Sequence, residues 1–149
     1  MKTPSGFTLI ELMMALVVVA ILTAIALPSY TKYVIRGKVP DATSNLATKR
    51  AQMEQWFQDN QTYLANTAGT AAPACVTDTT TSPKNFDFDC PVLTATTFTL
   101  RATGKNAMSG FVYTIDQNNV RTSVITSPPA PSGWVGSANC WVTNVGGAC

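Results

Sequence analysis

One acidic side chain stands inside an apolar run. From Phe7 to Leu27 the chain has no Lys, Arg or Asp, and its one carboxylate is Glu11. An acidic residue in a membrane-spanning helix costs roughly 2.5–3.5 kcal/mol at mid-depth and less near an end, so it is kept where it meets a partner. The second group able to do chemistry is a set of four cysteines, Cys75, Cys90, Cys140 and Cys149, all beyond the apolar run. Their even number, with neither C-x-x-C nor zinc-knuckle spacing, points to disulfides in an oxidising compartment. Four cysteines allow three pairings. Local loop closure favours Cys75 with Cys90 and Cys140 with Cys149. Enzymatic chemistry is not expected. The chain has no His, which removes a His base and His metal ligands. No Ser or Asp falls in a nucleophile motif. Asp78, Asp87, Asp89 and Asp116 lack EF-hand spacing and read as solvated carboxylates. No metal or cofactor is expected.

The elements that position these groups follow from hydropathy patterning. Helical at about 1.5 Å per residue, roughly 21 residues reach about 32 Å, enough for a ~30 Å hydrocarbon core. Two plain readings compete: an inert anchor, or a secretory signal peptide cut after Ala24-Ile25-Ala26. Against the second, the apolar core is long, the basic flank holds only Lys2, and Glu11 lies inside it. Beyond it, Leu46, Met53 and Phe57 fall on one helical face and Lys49, Gln52, Gln55 and Asp59 on the other. An amphipathic helix is therefore expected over 29–60, with Trp56 and Phe57 in the core. Gly37 and Pro40 predict a kink or break near Arg36–Pro40, with Asp41 in a restarted first turn. Residues 60–82 read as a long loop. They open on Asn60-Gln61-Thr62, a glycosylation sequon of little specificity. Alternation then predicts antiparallel strands at Phe86–Asp89, around Phe98–Ala102, at Phe111–Asp116 and at Val120–Thr126. Cys140–Thr143 reads as a last short strand, and Gly146-Gly147 as a turn in the tail.

The first residues carry a resemblance. Ser5-Gly6-Phe7-Thr8-Leu9-Ile10-Glu11, after a short leader with Lys2, closely resembles the class III signal of type IV pilins and pseudopilins. The resemblance implies that a membrane peptidase, the prepilin peptidase, cuts after Gly6 and that Phe7 becomes the N-methylated terminus. It also implies that Glu11 pairs with the N-terminal amine of a neighbouring subunit during assembly. Pro28 falls where this family often has a helix-kinking proline. The implied fold is α+β: a long N-terminal helix, half transmembrane and half amphipathic, packed on a four-stranded antiparallel meander. The loop after the helix and the C-terminal disulfide loop would be its variable surfaces. That last loop makes the chain look more like a PilE-like pilin than a type II secretion pseudopilin.

The expected organisation is a leader over 1–6, a membrane and polymerisation helix over 7–28 and an amphipathic helix over 29–60. Loop, sheet and C-terminal disulfide loop fill 61–149. Lys2 on the N-terminal flank sets the globular part outside the cytoplasm. The expected partners are a homo-oligomeric or mixed filament, the prepilin peptidase, inner-membrane assembly machinery and the membrane itself. The expected location is the bacterial inner membrane as a single-pass protein, then the extracellular pilus. Formal charge is only +2 and the charged fraction 12%, which does not favour nucleic-acid binding. A minor subunit binding DNA or a surface would need a basic or aromatic patch. Its candidate cations, Lys84, Arg101, Lys105 and Arg121, are scattered in sequence.

Overall fold

A computed structural model describes residues 6–66, 68–70, 72–75 and 85–149, with the side chains at 27–29 and 73 left aside. Lys2, Ser5, Asp78 and Lys84 lie outside these residues. The chain divides into two units, one ending at Val34 and the other running from Ile35 to Cys149.

Helix α1 spans Leu9–Asn60. In its first part the large apolar side chains are exposed, Leu9 at 76% and Ile25 at 68%. Among the described residues nothing covers them. From Ile35 onward the helix has two faces. Ile35, Val39, Ala42, Leu46 and Met53 recur every three, four or seven residues and are buried. Gln52, Gln55 and Asp59 are exposed on the other side. Phe57 and Trp56 are partly buried against the core, as the spacing predicts.

The expected break at Gly37–Pro40 is absent, because α1 runs through both residues. Pro40 removes one backbone donor, at a cost of about 3 kcal/mol in a helix interior. Its neighbours Val39 and Ala42 are 1% and 0% exposed, and keeping both in the core requires continuous helix. Pro40 and Arg36 are exposed, so the carbonyl left without its N–H faces water. Packing on one face outweighs the loss on the other.

The sheet is a four-stranded antiparallel meander in the order β1-β2-β3-β4. Strands β1 (Phe86–Leu93), β2 (Phe98–Gly104), β3 (Phe111–Asp116) and β4 (Arg121–Ile125) fall where expected; burial alternates along β2, β3 and the first half of β1, whereas β1 runs on past the expected Asp89 to Leu93 and β4 buries only Ser123. Phe86, Phe88, Phe98, Leu100, Ala102, Phe111, Tyr113 and Ile115 face inward and share a core with Leu46 and Met53. Arg50 ties α1 to the β3–β4 turn, donating to the Asp116 carbonyl at 3.2 Å and the Gln117 carbonyl at 2.9 Å. On the outer face, Asp87 meets Lys105 at 2.7 Å and Asp89 meets Arg101. These two aspartates are thus ion-paired, while staying partly open to solvent as expected, at 42% and 31% side-chain exposure. The Asp89 bond leads in raising the Arg101 pKa, with only partial burial opposing it. The β1–β2 register shifts between Asp89 and Val92, around the exposed Pro91.

Cys140–Thr143 forms no strand, contrary to expectation. The backbone of Ser123 is already engaged by Ser137 in an isolated bridge. What remains for the tail is side-chain bonding. The Ser123 hydroxyl donates to the Cys140 carbonyl at 2.8 Å and accepts the Val142 N–H at 2.9 Å. The Tyr113 hydroxyl donates to the Val142 carbonyl at 3.0 Å. The Trp141 indole N–H donates to the Thr114 carbonyl at 2.8 Å. Gly136 permits this approach, since a Cβ there would lie 2.5 Å from the Ser123 carbonyl oxygen. Gly146 and Gly147 both take positive φ, 81° and 80°, where other residues are strained.

Candidate functional site

The residues that carry the resemblance lie at the start of α1. Gly6 and Phe7 precede the helix, and Phe7 is 92% exposed. A Cβ on Gly6 would meet nothing within 4 Å, so this fold does not itself demand glycine there. Thr8 and Glu11 form a reciprocal capping box. The Glu11 carboxylate accepts the Thr8 N–H at 2.9 Å and the Thr8 hydroxyl at 2.8 Å. The Thr8 oxygen accepts the Glu11 N–H at 3.3 Å. Both groups are otherwise orphans of a helix start, where no water helps inside a bilayer. The signal was present in the sequence as Thr-x-x-Glu, the usual signature of such a box. Glu11 was read there only as a partner for another chain.

The cysteines join Cys75 to Cys90 and Cys140 to Cys149, with Cα separations of 5.3 and 5.9 Å. These are the pairs local closure favoured. Cys75 ends a short 3₁₀ turn, Pro73–Cys75, and ties it to β1 through Cys90; Ala74 within the turn and Ala72 just before it are buried. Tyr63, in the segment read as loop, is also core. Its ring lies 4.7 Å from both Phe57 and Phe98. Burial leads in raising its pKa, helped by the nearby Glu54 carboxylate.

The candidate cations do not converge. Arg101 and Lys105 are held by Asp89 and Asp87. Arg121 is different: it is exposed, its guanidinium lies 4.7 Å over the Trp141 ring, and it bonds the neutral Asn119 side chain. It thus stands on edge strand β4 beside the C-terminal disulfide loop. Among the described residues no three of His, Cys, Asp and Glu gather as metal ligands.

Helix, meander and signature together define a pilin-type fold. The family model for the prokaryotic N-terminal methylation motif matches residues 1–27. The model described as type IV minor pilin ComP, DNA uptake sequence receptor, matches residues 28–111, more than half of the chain. The chain belongs to this family of type IV minor pilins. It is 35% identical to the fimbrial protein EcpC of Eikenella corrodens, over 50% of this chain and 49% of that one. It is 37% identical to the type IV major pilin protein PilE1 of Neisseria gonorrhoeae, over 46% of this chain and 33% of that one. These matches span about half or less of the relatives' own length. The crystal structure of the Neisseria meningitidis non-core minor pilin PilV shares the fold. Its TM-score is 0.51 at 16% identity, over 68% of this chain and 97% of that one.

Proposed function

We propose that this chain is made as a single-pass inner-membrane precursor and enters an extracellular type IV pilus through its N-terminal helix. The prepilin peptidase cuts between Gly6 and Phe7, and Phe7 is then N-methylated. Residues 7–28 serve as membrane segment and later as filament contact. Residues 29–149 form the exposed domain, with no enzymatic role. One observation carries the reading: a wholly exposed apolar helix surface with its single carboxylate, Glu11, four residues from Phe7. In the membrane that surface meets lipid, and in a filament it meets other helices. The Glu11 carboxylate then pairs with the amine of a neighbour, where low dielectric strengthens the attraction. The test is Glu11→Val. The expected result is a normal processed membrane pool with little of the variant in sheared filaments. Wild-type recovery in filaments would remove the assembly role. A mature terminus at Leu27 would establish an ordinary signal peptide instead.

A second reading, DNA binding in uptake, is favoured by Arg121 over Trp141 together with the description of the matched family. Among the described residues the Arg121 guanidinium has no carboxylate partner, which leaves it available to phosphate, and the adjacent Trp141 indole offers a stacking surface. Duplex DNA binding by the full chain in detergent should weaken with salt, and Arg121→Ala should weaken it and reduce the salt slope. Binding unchanged in Arg121→Ala would reject this residue as a contact.

A further inference from the structure

The capping box divides the labour of the Glu11 carboxylate. Both bonds from Thr8 converge on one oxygen, Oε2. Among the described residues, Oε1 accepts no hydrogen bond. The bond from the Phe7–Thr8 peptide survives a cut after Gly6, since that amide lies within the mature chain. In hydrocarbon, a carboxylate oxygen without a donor is costly, and so is a free N–H at a helix start. Thr8 relieves both on one side of the carboxylate. The other side is left for a cation.

We propose that Thr8 is a positioning residue for filament assembly: it holds Oε2 of Glu11 within its own subunit and so presents Oε1 to the amine of the incoming one. This rests on the Glu11 pairing proposed above. The hydroxyl is the operative group because it does two things at once. It accepts the Glu11 N–H, which caps the helix, and it donates to the Glu11 carboxylate, which fixes the side chain.

Substitutions at Thr8 separate those roles. Serine keeps both. Aspartate is as good a helix cap but cannot donate, and it repels Glu11. Valine keeps the shape and loses both. Each variant is expressed in full length, and its share in sheared filaments is measured per processed subunit in the membrane, with processing read by intact mass. Thr8→Ser should assemble as wild type. Thr8→Val and Thr8→Asp should fall about tenfold with the processed pool unchanged. Thr8→Ala stands in for valine should valine block cleavage, and should fall likewise. Wild-type assembly of Thr8→Val beside a failing Glu11→Val would overturn the inference alone. Recovery by Thr8→Asp would reduce Thr8 to a helix cap and overturn it too. Wild-type assembly of Glu11→Val would instead bring down the underlying pairing.

Discussion

Ser123→Ala should loosen the C-terminal loop by an amount the structure sets. The Ser123 hydroxyl makes two hydrogen bonds to the tail, and both Ser123 and Val142 are buried, at 3% and 0% exposure. Two such bonds contribute about 1 kcal/mol each, and the stranded Val142 N–H adds a desolvation penalty of about 1–3 kcal/mol. The alanine itself packs as well as serine, so little offsets the loss. The expected destabilisation is about 3–5 kcal/mol. For a domain of this size that lowers the melting temperature by roughly 15 °C. The assay is thermal unfolding in detergent followed by tryptophan fluorescence, with hydrogen exchange at the Val142 amide. Exchange there should accelerate more than at the Leu100 or Ile115 amides of the central strands. A shift below about 0.5 kcal/mol, with Val142 still protected, would refute the claim that the hydroxyl seats the tail.

Other expectations follow from the same packing. Leu46→Ala, at a site 0% exposed in the helix–sheet core, should cost about 2–5 kcal/mol, read by denaturant unfolding at constant m-value. Pro40→Ala should raise stability by about 1–2 kcal/mol, because the helix is already continuous there and regains a donor; a loss in the same assay would show that the proline fits better than its geometry implies. Burial raises the Tyr113 hydroxyl well above its ordinary range. Its folded state therefore holds the proton longer than the unfolded state. Stability should be flat below about pH 10 and fall as pH rises beyond it. Tyr113→Phe should begin about 1 kcal/mol lower from the lost Val142 bond and fall less steeply in that alkaline range.

The legible parts of this fold were those written in periodicity. Alternating Phe86–Phe88, Phe98–Ala102 and Phe111–Ile115 gave strands because burial on one face recurs at every second residue. Leu46, Met53 and Phe57 gave the helix face in the same way. Pro40 misled because a local propensity was weighed without the core residues on either side of it. Cys140–Thr143 misled because its apolar residues suggested a strand. What fixes it is the buried Ser123, 17 residues before Cys140, together with bonds to Tyr113 and Thr114 on β3, pairings that no local pattern announces. Tyr63 and Trp134 were missed for a related reason: isolated aromatics in polar segments have no period, yet both are 4% exposed. At the N-terminal site the residues were legible and the arrangement half so. Glu11 stood out by its cost in an apolar run, whereas its bond to Thr8 shows only when the helix start is built.

The sheet's two margins bear on how such subunits survive crowding. An unpaired strand edge invites a neighbour's strand, and from there runaway stacking. The β1 margin is spoiled as a template by Pro91, which has no N–H to offer, and by the register shift beside it. The β4 margin is partly occupied by the chain's own Ser137, which exchanges both backbone bonds with Ser123 at 2.7 and 2.8 Å. Under the membrane storage proposed above, neighbouring copies would therefore gain little by zipping sheet to sheet. The surface with most to gain from a neighbour is the uncovered run from Leu9 to Ile25, which favours ordered growth over precipitation.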